Sequence, residues 1–128
     1  MRAKFVSFFL FCLFFFLLAG CEASGSTGGN IHVQLNNFTN KKVNFWTNLK
    51  TKRDLVPENS QDYRQEAIVQ VDLEVGLLLT VYVQVENSQN AIDGQASYTV
   101  RLKHDATTEA QDVEVFCTWN GSSLSCRE

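Results

Sequence analysis

From Ala67 to Val85 apolar side chains recur at the odd positions, Ala67, Val69, Val71, Leu73, Val75, Leu77, Leu79, Val81, Val83 and Val85, with Ile68 and Leu78 as extra apolar residues and Gly76 as the only break. A repeat of two residues places every second side chain on one face, which is the geometry of an extended strand. No stretch from Ile31 onward holds the i, i+3, i+4, i+7 spacing of an amphipathic helix over three turns. The chain is therefore expected to be all-β. Gly76 admits two solutions. A three-residue bulged turn, Glu74-Val75-Gly76, keeps odd positions paired with odd ones in a hairpin. Alternatively the chain crosses between two sheets at this point.

The same alternation continues elsewhere. Ile31, Val33 and Leu35 alternate with His32, Gln34 and Asn36, and Asn37-Phe-Thr-Asn40 turns into Lys42-Val-Asn-Phe-Trp-Thr47. Residues 48 to 64 read as the least regular part, where Leu55 and Val56 could add a short strand. Residues 87 to 95 form a loop ahead of the strand Ala96 to Leu102. Val113, Val115, Cys117 and Trp119 precede Asn120-Gly121 and a last short strand ending at Cys126. About seven strands at this spacing predict a small antiparallel β-sandwich. The string Leu73-Glu-Val-Gly-Leu-Leu-Leu-Thr-Val-Tyr-Val83 resembles the sheet-crossing corner of fibronectin-type and other immunoglobulin-like sandwiches, with Val75 in place of the usual Pro and Leu79 in place of the corner tyrosine. That resemblance implies an immunoglobulin-like arrangement.

The first 20 residues are a different object. Two positive charges, Arg2 and Lys4, precede the uncharged run Phe5 to Leu18, which has the layout of a secretory signal. The run is shorter than the ~20 apolar residues that cross a bilayer. Leu18-Ala19-Gly20-Cys21 resembles the lipobox of bacterial lipoproteins. The resemblance implies cleavage before Cys21, acylation of Cys21 and a protein held on the membrane by lipid. In the Gram-negative pattern, Glu22 where Asp would signal retention favours the outer membrane. The domain reading is a signal over 1–20, a lipidated cysteine with a Gly- and Ser-rich flexible tether over 21–30, and a sandwich over 31–128.

With Cys21 given to lipid and Cys12 leaving with the signal, only Cys117 and Cys126 can pair. A four-residue loop, Asn120 to Ser123, sets Trp119 opposite Leu124 and Cys117 opposite Cys126, which closes the last hairpin with a disulfide.

Chemistry-bearing residues are few. From Cys21 onward 9 Lys and Arg stand against 14 Asp and Glu, a net charge of −5, which argues against a general electrostatic grip on nucleic acid or on an anionic lipid surface. His32 alternates with core residues and faces the polar side, and His104-Asp105 lies at a strand end. Asp72 and Glu74 share one strand face and Asp112 and Glu114 another, without the spacing of a calcium loop. The Asn37 and Asn120 sequons matter only in a eukaryotic secretory route. No catalytic motif, metal or cofactor site is read, and no enzyme is expected. The binding candidates are the basic residues Lys41, Lys42, Lys52 and Arg53, with Lys50 between them, and the aromatics Trp46 and Trp119; Tyr82, Tyr98 and Phe116 read as core. These features suggest an envelope lipoprotein that serves as a protein interaction or assembly module, with binding of a glycan or peptidoglycan fragment on exposed aromatics as the alternative.

Overall fold

Odd-numbered side chains of five strands point to one shared interior, and this parity organises the molecule. A computed structural model describes residues 25–103 and 110–128. The strands are β1 (Ser26–Asn37), β2 (Val43–Thr47), β3 (Lys50–Val56), β4 (Ser60–Asp72), β5 (Leu77–Val85), β6 (Gly94–Val100), β7 (Gln111–Trp119) and β8 (Leu124–Arg127). They form two four-stranded sheets, in the orders β4-β1-β7-β8 and β3-β2-β5-β6. Ile31, Val33 and Leu35 of β1, Phe45 of β2, Leu79, Val81 and Val83 of β5 and Val115 of β7 are buried in one core contributed by both sheets. β6 and β8 present even positions instead, Val100 and Leu124 among them.

The chain passes from one sheet to the other after β1, β3, β4 and β6. Gly76 therefore belongs to a corner between sheets, and the hairpin solution is excluded. The corner is closed by Asp72: its carbonyl accepts the Gly76 N–H at 2.9 Å, and its carboxylate accepts the N–H groups of Glu74 and Val75 at 2.8 and 3.0 Å. The Val75 bond, then the Glu74 bond, hold the Asp72 carboxyl below its ordinary pKa. Gly76 has φ +78°, and a Cβ there would come within 2.6 Å of the Val100 carbonyl oxygen. Val75 plays no part in the core, because the turn swings its side chain into solvent at 69% exposure.

Four expectations need correction. The sheets hold eight strands, and β1 pairs with β7 in parallel while the other pairs are antiparallel. Side-chain alternation is the same in both directions, so it carries no information on partner polarity. Residues 48 to 64 are regular, holding β3 and the start of β4. β3 is an edge strand with wet faces, so only Val56 of it is buried and no apolar alternation marks it. Lastly, β1 begins at Ser26 and not at Ile31, pairing Ser26–Asn30 with Asp72–Ile68. Gly29 allows this by close approach: a Cβ on it would lie 3.0 Å from Leu102 Cδ1 and 3.2 Å from Val71 Cγ2. Gly28 and Gly29, which read as part of a tether, are packing positions of a strand. The signal, Cys21 and the His104-Asp105 pair lie outside the described residues.

The final hairpin has the expected register, with Trp119 opposite Leu124 and Cys117 opposite Cys126. Asn120 Oδ1 accepts the N–H groups of Ser122 and Ser123 at 3.0 and 2.8 Å, which folds the four-residue loop. The two cysteines form a disulfide with Cα atoms 4.1 Å apart.

Candidate interaction face

The parity that fills the core also fixes what the second sheet shows to solvent. Trp46 on β2 stands opposite Tyr82 on β5, both at even positions and therefore on the outer face. Their rings stack with centroids 5.5 Å apart and an interplanar angle of 15°. From the other side of β2, the Arg53 guanidinium of β3 lies 3.9 Å from the Trp46 ring centroid. Arg53, Trp46 and Tyr82 thus form one row across three strands, joined by stacking and cation–π attraction. Both faces of the indole are occupied within the row.

Beside this row lies an open groove of about 600 Å³. The β2–β3 turn, Asn48 and Leu49, forms one wall with Lys50 at the start of β3, and Ala91 and Ile92 of the β5–β6 connection form the other. Both walls are tied down. Asn48 donates its Nδ2 to the Leu78 carbonyl at 2.8 Å and accepts the Thr80 N–H at 2.8 Å. Asp93 binds the opposite wall, accepting the Val85 N–H at 2.7 Å, the Ser88 hydroxyl at 3.0 Å and the Asn90 amide at 3.1 Å. Gln84 adds a bond from its amide to the Asn90 carbonyl at 2.8 Å.

The Asn90 hydrogen bond is the largest influence on Asp93 and lowers its pKa; burial opposes it, while the Val85 and Ser88 bonds add to it. A carboxylate whose folded pKa lies below its unfolded value stabilises the fold fully above the unfolded value and loses that contribution as pH falls through the folded one. The wall is therefore expected to hold through the ordinary carboxylate range and to loosen only in stronger acid. Amide protection at Ser88, Asn90 and Val85, the exchange rate relative to the intrinsic rate at each pH, checks this: it should fall at acid pH in the wild type and be low at every pH in Asp93→Asn.

The basic candidates do not form one patch. Val43 pairs with Val56 and Thr47 with Lys50, so Lys41 and Lys42 lie at one end of the β2–β3 hairpin and Lys50 at the other. Lys52 makes an ion pair with Asp54 at 3.4 Å, and only Arg53 joins the aromatic row. Trp119 is corrected as well: at 1% exposure it is a core residue, because its odd position on β7 points between the sheets. Gly94 of β6 makes room for it, since a Cβ there would come within 2.5 Å of the indole Cζ3. Tyr82, read as core, is instead part of the outer row. Its even position in a run whose odd positions are buried was the available signal.

His32 is on the polar face of β1, as its alternation implies. Its Nδ1 lies 3.0 Å from Glu66 Oε1 on β4 and its Nε2 3.3 Å from Asp112 Oδ1 on β7. Asn30 also donates to Asp112 Oδ1, at 3.0 Å. With both ring nitrogens facing carboxylate oxygens, the imidazole offers no open nitrogen to a substrate or an ion. Asp72 is likewise committed to the corner amides, which splits it from Glu74 in role. Among the described residues no group of three or more His, Cys, Asp or Glu side chains is arranged to hold a metal ion.

No protein-family model matches the chain, and neither the curated proteins nor the solved structures compared with it include a match.

Proposed function

We propose that this is a lipid-anchored protein of the bacterial envelope whose domain acts as a non-catalytic protein interaction module, docking its partner on the outer face of the β3-β2-β5-β6 sheet. The observation that carries the reading is the Arg53–Trp46–Tyr82 row beside a preformed groove. Arginine and aromatic residues dominate the energetics of protein interfaces, and a row already ordered in the free domain loses little conformational freedom on binding. Exposed Leu55 and Ile92 extend the apolar area around it. A sugar ring stacks on an open aromatic face. Trp46 offers only its edge, because Arg53 and Tyr82 cover its two faces, and this favours a protein partner over a glycan. The anchor is Cys21, acylated after cleavage of residues 1–20, with Glu22 directing the protein toward the outer membrane.

Crosslinking the protein in its native membranes, then purifying it and identifying the captured protein by mass spectrometry, tests this. Arg53→Glu removes the cation–π contact from an exposed position and should leave the unfolding midpoint near that of the wild type. It is expected to reduce capture of the partner by about tenfold or more. Cys21→Ala should lose both membrane attachment and the partner. Undiminished capture with Arg53→Glu would place the interface elsewhere, and soluble glycan fragments co-purifying with no protein partner would replace this reading by the glycan one.

A further inference from the structure

The proposed anchor and the start of β1 are close in sequence, and this constrains which end of the sandwich faces the lipid. Gly25 is fixed to the domain, its carbonyl accepting the Leu73 N–H at 2.6 Å. The chain from Cys21 to Gly25 spans at most about 14 Å. The polar headgroup layer is about 5–8 Å thick on each side of the hydrocarbon. A domain tied so shortly to an acylated cysteine must keep the end around Gly25 against the headgroups.

That end has a composition suited to the position. The corner at Leu73–Gly76 projects Val75, 69% exposed, and Leu78 follows at 57%. Arg101 and Lys103 at the exit of β6 are exposed beside it, and Arg101 donates to the Glu74 carbonyl at 2.9 Å. Of the two acids at the corner, Asp72 has its carboxylate turned onto the Glu74 and Val75 amides, leaving Glu74 outward. We infer that this end is a membrane-resting surface: Val75 and Leu78 enter the headgroup region while Arg101 and Lys103 meet lipid phosphates. Apolar tips with flanking basic residues bind interfaces in this way. The inference rests on the lipid anchor at Cys21. It leaves the Arg53–Trp46–Tyr82 row on a side of the sandwich, open to a partner.

The test uses the full lipidated protein in vesicles of phosphatidylethanolamine and phosphatidylglycerol. With Cys21 acylated and Cys117 bonded to Cys126, a cysteine introduced by Val75→Cys is the one free thiol of the mature chain and takes an environment-sensitive fluorophore. Asn40→Cys, at the opposite end, is the control. The label at 75 is expected to shift to the blue and to be quenched by brominated lipid, and the label at 40 to do neither. Protein that floats with the vesicles but shows no quenching at 75, or shows it at 40, overturns the membrane-resting surface and leaves the anchor standing. Protein that does not float removes the anchor and the inference together. Shielding at 75 that arises only in native membranes would give this end to a protein partner and overturn the assignment to lipid.

Discussion

Truncating Trp119 to alanine is expected to lower the unfolding free energy by about 3–5 kcal/mol, the range for large aromatic side chains removed from a packed core. The indole is 1% exposed, at the end of β7, and lies against Gly94 of β6 and Leu124 of β8. Its Nε1 has no hydrogen-bond partner among the described residues, so the loss is one of packing and not of a polar network. Gly94→Ala approaches the same contact from the other side. Its new methyl would lie within 2.5 Å of Cζ3, so either the indole or the β6 backbone must move. The two changes touch one contact and should not add: Gly94→Ala is expected to cost less in a Trp119→Ala background than alone. Urea unfolding of the four proteins checks this. A loss below about 1 kcal/mol for Trp119→Ala would show that this side chain is not a core residue and return it to the binding candidates.

The second large effect is expected at the disulfide. Replacing Cys117 and Cys126 by alanine should cost about 2.5–3 kcal/mol on the chain-entropy account, given a closed loop of about ten residues. Cys117 is fully buried, packed with Val115 and Trp119 in the core, whereas Cys126 is part-exposed. Reduction should therefore begin at Cys126 and spread first to the β7–β8 hairpin. Two readings distinguish this from a redox-active pair: the unfolding midpoint with and without reductant, and amide exchange across 111–127. Fraying confined to β8 with the rest of the domain intact fits a staple. An unchanged midpoint after complete reduction contradicts it.

Much of this architecture was legible because parity is a strong physical signal. A buried face requires every second residue to be apolar, and a slip of one residue would turn that face to water, so β1, β2, β5 and β7 announce themselves. The disulfide register was readable for the same reason, since only a four-residue loop sets Cys117 opposite Cys126. What the chain hid is equally physical. β3, Lys50–Val56, lies at an edge where charge guards against further pairing, so it shows no alternation. Gly28 and Gly29 resemble a tether in composition, but the neighbours that crowd them, Ala110, Leu102 and Val71, are remote in sequence. Trp119 carried the inward parity of Val113, Val115 and Cys117, and only the room that Gly94 leaves for so large a ring needed the fold. The site was half legible. Trp46 and Arg53 were candidates on residue type, and Tyr82 carried a parity signal that pointed outward. The stack needed the order β3-β2-β5, which local pattern does not encode.

Whether the outer face of the β3-β2-β5-β6 sheet docks a protein is decided by a photo-crosslinking amino acid placed in turn at Leu55, Ile92 and Ile68, with the protein expressed in its native membranes. Leu55 and Ile92 flank the Arg53–Trp46–Tyr82 row and its groove, while Ile68, 76% exposed, lies on the outer face of the other sheet. An interaction module using the proposed face predicts the same crosslinked protein from positions 55 and 92 and none from 68. Crosslinks from position 68 alone, or none from any of the three while the protein remains membrane-bound, would contradict it.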